Sequence, residues 1–446
     1  MLKVDSDIEQ VATQPLAILG GPKAVPDPQA HQKLFHWPIV TEEDERAVLE
    51  VLRAGNMSGT DITRQFEAEF AAWMGVEYAL ATCNGTAALL EAFWACGVGA
   101  GDEVICPSMT YWASAVPAMT LGATLHFADI DPQTLCIDPA DIEHRIGPRT
   151  KAIVVVHYAG HPADMDPILE IARKHKVKVI EDVSHAQGSR YKGRMCGTMG
   201  DVAAMSLMAG KSFAVGEGGM LATNDRQIYE RAVAFGHYER TGGPSRYAQS
   251  QQTIRQEDLL PFRGLPIGGV KHRMNQTCSA MGRVQLKHYE ARIAQIQKAM
   301  NRFWDLLEGV PGLRPHRVRW PDSTMGGWYS PRGLYCAQEL GGLPCERFCE
   351  AVRAEGIAAC WPGANFPLHT HAVFHESDLF RLGKPTAIAF GQRDVRQGPG
   401  TLSVAERIDQ IAFGIPWFKH DWPEAIEVYA AAYRKVALQA SKLLAS

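Results

Sequence analysis

The sequence predicts an α/β protein in which a mainly parallel central sheet is covered by helices and followed by a smaller C-terminal α+β domain. Short runs rich in β-branched and apolar residues alternate with helical segments between residues 76 and 224, which is the rhythm of a parallel sheet with both faces covered. The predicted strands are 76–82, 102–107, 124–130, 151–156, 177–182, 202–207 and 219–223. Because ligands bind beyond the carboxyl ends of the strands in such sheets, the residues that follow these runs are candidates for a functional site.

The chain divides into three predicted parts: an N-terminal arm at 1–40, a large domain at 41–285 and a small domain at 286–446. The arm is rich in Pro, Gly and Gln. Thr41 offers an N-cap followed by acidic residues, so a helix is predicted from there to a stop at Gly55.

Two further segments complete the predicted organisation. A long helical pattern runs from about Arg273 to Leu307 and leads into the small domain, which ends in a helix predicted from Trp422 to Leu444. Residues 240–270 are polar and rich in Gly and Pro, so they predict a long excursion, and loops of this length are usually functional or bound to a partner.

Composition and charge argue against several classes of function. The chain of 446 residues has a formal net charge of −4 and shows no basic footprint for nucleic acid or a membrane surface. The uncharged stretch from Val104 to Phe127 contains prolines and hydroxyl residues, so it is not expected to cross a membrane. The N-terminal segment lacks the basic start and apolar run of an export signal, and the ten cysteines form no CxxC pair. We therefore expect a cytoplasmic protein with reduced cysteines.

Three histidines, His369, His371 and His375, raise the question of a metal site. They come with no accompanying set of ligands, so we expect a loop with surface histidines and no metal.

A candidate phosphate site follows the first predicted strand, in the segment ATCNGTAALLEAF. Asn84 and Gly85 turn the chain, and Thr86 opens a helix. Free backbone N–H groups at a helix start bind phosphate, and glycine permits close approach. By itself this pattern is more typical of a plain capped helix than of a phosphate site.

An acid ends the strand in VKVIEDVSHAQG. Asp182 lies where desolvation is costly for a carboxylate without a partner. The cofactor pyridoxal 5′-phosphate (PLP) needs such an acid, because a carboxylate against its pyridine nitrogen keeps the ring protonated and a good electron sink. An Asp that caps the next helix is the alternative.

A lysine follows the strand in GDVAAMSLMAGKSFAVGEGGMLATND. The strand brings Ser206 to its end, and a turn then places Lys211 in front of a Gly-rich hairpin. An amine forms a Schiff base when it is accessible and its pKa is lowered, which a half-buried turn achieves. A surface lysine is the alternative, but few of these follow so apolar a strand.

The order phosphate loop, acid and lysine, separated by parallel strands, indicates a PLP enzyme. A dinucleotide site is less well supported, because GVGAGD at 97–102 precedes a strand and does not open a helix.

At these residues the chain resembles the PLP-dependent sugar aminotransferases of the DegT/DnrJ/StrS group, which have the fold type I architecture. The resemblance is carried by FEAEFAAWMGVEYALATCNGTAAL, GDEVICPSMTYWASA, HPADMDPI, VIEDVSHAQG and GDVAAMSLMAGKSF with GEGGMLATND. It implies that Lys211 forms the Schiff base and that Asp182 binds the pyridine nitrogen. It further implies cofactor contacts from Gly85, Thr86 and Ser206 at the phosphate, Tyr111 on the ring face and His185 beside the phenolic oxygen.

One position departs from the family pattern. Lys271 stands where the family often has an Asn that reaches the cofactor phosphate of the neighbouring subunit. A lysine can bind that phosphate as a cation or meet a phosphate on the substrate, and a solvated lysine is the remaining alternative. The first two roles imply a homodimer with shared active sites.

The resemblance implies ping-pong transamination from glutamate or glutamine to a keto sugar, a keto-sugar phosphate or a keto-cyclitol. The opening PLAILGGPKAV favours the branch with scyllo-inosose aminotransferases and aminohydroxybenzoate synthases. A PLP-dependent sugar dehydratase or lyase, a non-catalytic PLP-binding regulator and a NAD-dependent sugar enzyme remain as alternatives. Members that dehydrate sugars usually replace the lysine with His, so Lys211 argues against the first of these.

Overall fold

The computed structural model describes residues 11, 13–242, 254–391 and 393–445. Its centre is a seven-stranded sheet with the order β1-β9-β8-β5-β4-β2-β3. The strands of this sheet are β1 (Tyr78–Thr82), β2 (Glu103–Pro107), β3 (Thr124–Ala128), β4 (Thr150–Val156), β5 (Lys178–Asp182), β8 (Val202–Ser206) and β9 (Gly219–Thr223). A two-stranded ribbon of β6 (Arg190–Tyr191) and β7 (Arg194–Met195) and a three-stranded sheet of β10 (Leu313–Pro315), β11 (Arg332–Tyr335) and β12 (Ala412–Gly414) complete the strands.

Helices connect the strands and cover the sheet. In chain order they are α1 (Glu42–Arg53), α2 (Asp61–Met74), α3 (Gly85–Ala95), α4 (Val116–Thr120), α5 (Pro139–Arg145), α6 (Met165–His175), α7 (Arg226–Gly236), α8 (Gln276–Leu306), α9 (Cys345–Ala354), α10 (Thr386–Ala389), α11 (Ile408–Ile411), α12 (Pro423–Leu438) and α13 (Ala440–Leu444).

Each of the seven predicted strands is present in the central sheet, and the prediction of a mainly parallel sheet is confirmed. β8, β5, β4, β2 and β3 pair in parallel, whereas β9 pairs antiparallel with both β1 and β8. The strand interiors are buried, with Ile153, Val154 and Ile180 fully covered. Burial on both faces explains why these strands are continuous apolar runs without alternation.

The segment after the sheet forms one 31-residue helix, α8, which spans the predicted boundary at residue 285. This helix contributes to the core under the central sheet through Tyr289 and to a second core through Phe303. The second core also contains Leu34 from the arm and Tyr433 from α12. A third cluster, which contains Ile153, Val154 and Ile180, also lies along the central sheet. The predicted division into three parts stays a prediction.

Two predicted features differ in the structure, and a third lies partly outside the described residues. The last helix is two helices, because the chain leaves helical geometry at Gln439, whose side chain donates to the Gln14 carbonyl at 2.8 Å. His369 is fully buried between Ser108 and Glu406, so it is not a surface histidine. Of the 240–270 excursion, residues 243–253 lie outside the described part, and the rest includes a short turn at Leu260–Phe262.

None of the helices in the described ranges is long and apolar enough to cross a membrane.

Candidate active site

A cavity of about 580 Å³ opens at the carboxyl ends of the parallel strands, where Val156, Asp182 and Ser206 end β4, β5 and β8. This is the edge of the sheet where ligands of α/β proteins bind. The predicted site residues that line the cavity are Gly85, Thr86, Tyr111, Asp182, His185, Ser206 and Lys211. Tertiary folding thus brings together side chains that lie more than a hundred positions apart in the sequence.

Lys211 lies on a tight turn after β8, where its backbone N–H donates to the Met208 carbonyl at 2.9 Å. Its side chain is only 7% exposed, and its Nζ atom lies 4.0 Å from the centre of the Tyr329 ring. Burial lowers the pKa of the Lys211 amine to about 8, although the negative charge of Asp182 acts in the opposite direction. The amine is therefore uncharged for part of the time near neutral pH, as a nucleophilic lysine must be.

Asp182 is buried at the end of β5 and has two donors. The Ser114 hydroxyl donates to Oδ2 at 2.7 Å, and the Ser184 backbone N–H donates to Oδ1 at 3.0 Å. These bonds hold the carboxylate at the cavity wall and offset part of its desolvation. A buried acid with one side on a cavity is suited to bind a protonated ring nitrogen.

The start of α3 lies against the end of β8. Asn84 caps the helix by accepting the Ala87 N–H at 2.8 Å, and Gly85 and Thr86 form the first turn at the cavity. A Cβ atom at Gly85 would lie 2.7 Å from the Ser206 Cα atom, so only glycine fits at this contact. The helix start and Ser206 therefore form one cradle for an anion.

His185 and Tyr111 lie on other sides of the cavity. His185 is buried, and desolvation together with the nearby positive charge of Lys211 lowers its pKa well below the ordinary value. Its Nδ1 atom receives the Ala159 N–H at 3.4 Å, so a neutral ring keeps a proton on Nε2 for donation. Tyr111 is 51% exposed at the rim, where its ring is free to cover a ligand.

Lys271 does not line this cavity. Its side chain is exposed, and the residues that follow it lie at the carboxyl end of β1, since Arg273 bridges to Thr82 and the His272 carbonyl accepts the Cys83 N–H at 2.6 Å. This end of β1 leads into Asn84 and Gly85, so the Lys271 segment runs beside the edge of the sheet where the cavity opens, without lining the cavity.

Among the lining residues that the sequence analysis did not name, four polar ones come from beyond residue 300: Tyr329, Ser330, Arg332 and Asn365. They come from the turn before β11 and from the segment before residue 367, which lies beside Met109. No local pattern distinguishes these residues, because they reach the cavity only when the second core docks against the sheet. The one local signal is the run WYSPR, in which Trp328 and Ser330 have left-handed backbones with φ of 52° and 51°.

Arg332 stands out among these residues. Its Nε atom is buried and has no hydrogen-bond partner within the described ranges, while Nη1 donates to the neighbouring Pro331 carbonyl at 3.2 Å. Arg332 is the arginine and Lys211 the lysine among the residues that line the cavity. Arg332 as a whole is only partly buried, so the buried Nε donor without a partner is the unusual feature of this side chain.

Solved structures of other proteins share this architecture. The chain is similar to an aminotransferase from Psychrobacter cryohalolentis, with 29% identity and a TM-score of 0.75 over 90% of this chain and 97% of that one. It is also similar to 3-amino-5-hydroxybenzoic acid synthase, with 25% identity and a TM-score of 0.72 over 91% of this chain and 98% of that one. The fold and the site define a PLP-dependent enzyme of fold type I.

The chain belongs to the DegT/DnrJ/EryC1/StrS aminotransferase family, whose model matches residues 38–385. It is 37% identical to the spore coat polysaccharide biosynthesis protein SpsC of Bacillus subtilis over 77% of this chain and 85% of that protein. It is 34% identical to L-glutamine:2-deoxy-scyllo-inosose aminotransferase of Micromonospora echinospora over 85% of this chain and 91% of that enzyme. The protein is thus a PLP-dependent sugar aminotransferase, as the resemblance of its motifs implied.

Proposed function

We propose that this enzyme moves an amino group from glutamate or glutamine to a keto sugar, a keto-sugar phosphate or a keto-cyclitol by a ping-pong mechanism. The observation that carries the proposal is the buried Lys211 amine, with its pKa lowered to about 8, in a cavity shared with Asp182. The relatives that act on scyllo-inosose derivatives support a cyclic polyol ketone as acceptor.

The residues present fit the cofactor. Lys211 would bind its aldehyde covalently, Asp182 would bind the ring nitrogen, and the first turn of α3 with Ser206 would hold its phosphate. Tyr111 would cover the ring face, and His185 would donate to the ring hydroxyl. PLP supplies the electron sink that makes the α-proton of an amino acid removable.

Lys211 would then carry the proton. With its amine free, Lys211 would accept the proton from the α-carbon of the donor amino acid and would give it up again in the second proton transfer of the same half-reaction. A pKa of about 8 suits both roles near neutral pH. Tyr329, 4.0 Å from Nζ, supports the amine in its protonated state through its ring face.

Arg332 would bind a carboxylate of the amino donor. A partly buried guanidinium with an unused Nε donor offers a bidentate site. Asp182 and Glu217 line the same cavity, but neither forms a hydrogen bond or an ion pair with Arg332 in the described chain. An amino acid donor carries the missing negative charge.

We further propose a homodimer in which Lys271 of one subunit approaches the cavity of the other. This role agrees with the exposed side chain of Lys271, which lies near the edge of the sheet where the cavity opens but does not line the cavity of its own chain. The ten free cysteines favour action in the reducing cytoplasm.

Replacement of the lysine tests the proposal. The purified enzyme, loaded with PLP, should convert glutamate or glutamine to the 2-oxo acid in a single half-reaction, and Lys211→Ala should lose at least about a thousandfold in that rate because its proton carrier is gone. Lys192→Ala, at an exposed lysine of the β6–β7 turn, is the matched control and should keep the wild-type rate.

The second half-reaction identifies the acceptor. The aminated cofactor form is mixed with inososes, keto sugars, keto-sugar phosphates and nucleotide-linked keto sugars, and the loss of its absorbance is followed. Turnover by Lys211→Ala, or release of ammonia or a deoxy sugar in place of a 2-oxo acid, would overturn transamination as the function.

A further inference from the structure

The backbone of Lys211 is bonded to the N-terminal arm. The indole Nε1–H of Trp37 donates to the Lys211 carbonyl oxygen at 2.8 Å across 174 positions of sequence. A backbone carbonyl on a tight turn has few other partners, since the turn itself uses the Lys211 N–H and the Met208 carbonyl. This bond therefore fixes the orientation of the peptide that carries the reactive lysine.

A second indole holds the neighbouring backbone. Trp417 donates its Nε1–H to the Gly327 carbonyl at 2.9 Å. Gly327 lies so close to Ser212 that an added Cβ atom would be 2.2 Å from the Ser212 Cβ atom. Movement of Gly327 would thus be transmitted to the residue that follows Lys211.

The two indoles are themselves in contact. The rings of Trp37 and Trp417 have centroids 6.2 Å apart, and the Leu34 carbonyl accepts the Lys419 N–H at 2.8 Å, which ties the arm to the C-terminal segment. The Nζ atom of Lys419 lies 3.3 Å from the Trp417 ring centre. Cation–π contact at this distance holds the Trp417 ring in place.

Trp417 also connects to the amine of Lys211, through the ring of Tyr329. The Trp417 ring meets the Tyr329 ring edge to face, with centroids 5.6 Å apart and planes at 90°. Tyr329 in turn faces the Lys211 Nζ atom. The lysine is consequently held at its carbonyl by Trp37 and at its amine by Tyr329, with Trp417 between them.

We propose that Trp37 and Trp417 form an indole bracket that positions Lys211 for proton transfer, so that the N-terminal arm takes part in the reaction. Trp37 is a positioning residue, since it touches the backbone of the lysine and none of the reacting atoms. The role of the bracket in proton transfer rests on the proposed function. Its effect on the pKa of the Lys211 amine does not, because that pKa is measured in the cofactor-free protein.

Trp37→Phe tests the bracket, because it keeps an aromatic ring and removes the N–H donor. In the cofactor-free protein, the pH dependence of acetylation at Lys211, read by peptide mass spectrometry, gives the pKa of the amine. We expect the wild-type pKa near 8 and a rise of at least about half a unit in the variant, because a looser turn admits water to the amine. In the PLP-loaded enzyme, the glutamate half-reaction should slow by about 3- to 10-fold, the range of one hydrogen bond.

Trp304→Phe is the matched control. Trp304 is more deeply buried than Trp37, lies in the second core, and its indole nitrogen has no hydrogen-bond partner in the described chain. The Trp304→Phe variant should be less stable because packing is lost, but its Lys211 pKa and its half-reaction rate should equal those of the wild type. Trp417→Phe removes the donor to Gly327, so it should also raise the pKa of the Lys211 amine and slow the glutamate half-reaction. This second variant tests the bracket if Trp37→Phe fails to fold.

An unchanged Lys211 pKa in Trp37→Phe and Trp417→Phe, or an equal change in Trp304→Phe, would overturn the bracket. A wild-type enzyme without any glutamate half-reaction would overturn the proposed function instead, and the pKa comparison would still decide whether the bracket exists.

Discussion

At the scale of single residues, the surroundings of a lysine decide its chemistry. Lys211 and Lys419 are both buried, and burial lowers the pKa of Lys211 to about 8 and that of Lys419 to about 7. Lys419 lies on the face of Trp417, whereas Lys211 shares an open cavity with Asp182. A lowered pKa therefore does not identify the cofactor lysine without a cavity and an acid beside it.

Arg332→Gln separates the two half-reactions. The substitution removes the charge that would bind the donor carboxylate, so the KM for glutamate should rise by about 10- to 100-fold, the range for a hydrogen bond to a charged group. The half-reaction of the aminated enzyme with an uncharged keto sugar or keto-cyclitol should change by less than about threefold, because a neutral ketone does not need the guanidinium.

Arg332→Lys is the companion variant, since it keeps the charge but loses the planar fork, and should give an intermediate KM. Equal losses in both half-reactions would show that Arg332 supports the cavity wall and does not bind the donor.

At the scale of elements, the site depends on the close approach of the start of α3 to the end of β8. Gly85 permits this approach, and the Asn84 cap leaves the first N–H groups of the helix directed to the cavity edge. The contact joins the phosphate cradle to the strand that leads to Lys211. Its geometry therefore couples cofactor affinity to the packing of one helix on one strand.

Gly85→Ala should lower the affinity for PLP. The added methyl group would lie within 2.8 Å of three Ser206 atoms, so the helix start must move away from the strand. We expect the Kd for PLP to rise by at least about tenfold, measured by fluorescence titration of the cofactor-free protein, because overpacking costs about 1–3 kcal/mol.

Gly99→Ala is the control, since a Cβ atom at Gly99 meets nothing within 4 Å and its backbone is not left-handed. An unchanged Kd in Gly85→Ala would show that the cradle does not hold the cofactor phosphate.

At the scale of the whole molecule, two cores meet at one cavity. The central sheet provides Asp182 and Lys211, and the second core, built from the arm, part of α8 and the C-terminal helices, provides Arg332 and Trp417. The predicted arm is consequently not a free extension: Leu16, Val25 and Leu34 are fully buried in the second core. Deletion of the arm would expose that core and release Lys211 from Trp37.

Mixing of subunits tests the homodimer. Lys211→Ala and Lys271→Ala are each expected to be weakly active, the second because the phosphate of the neighbouring cofactor loses a cation. If Lys271 acts across subunits, a mixed dimer contains one intact site, and an equal mixture should recover about a quarter of the wild-type activity.

The mixture must be unfolded and refolded together so that the chains exchange, and each variant refolded alone is the control. Activity equal to the mean of the two variants would place Lys271 in its own subunit's site or outside any site.

The sequence by itself determined the local part of this protein. Apolar runs of limited length specify buried parallel strands, and the residues that follow them are brought to one edge because parallel strands share a direction. Asp182, Ser206, Lys211 and the start of α3 are therefore predictable, as is their common chemistry, since each is encoded within a few residues of a strand end.

Only the tertiary structure decided the remainder. Tyr329 and Arg332 reach the cavity, and Trp37 reaches the Lys211 carbonyl, through the packing of the second core, and nothing in their neighbours along the chain encodes that docking. The antiparallel direction of β9, the break at Gln439 and the burial of His369 have the same origin. These contacts join surfaces that are far apart in the sequence. Hydrophobic periodicity and motifs predict only the structure of residues that are near one another in the sequence.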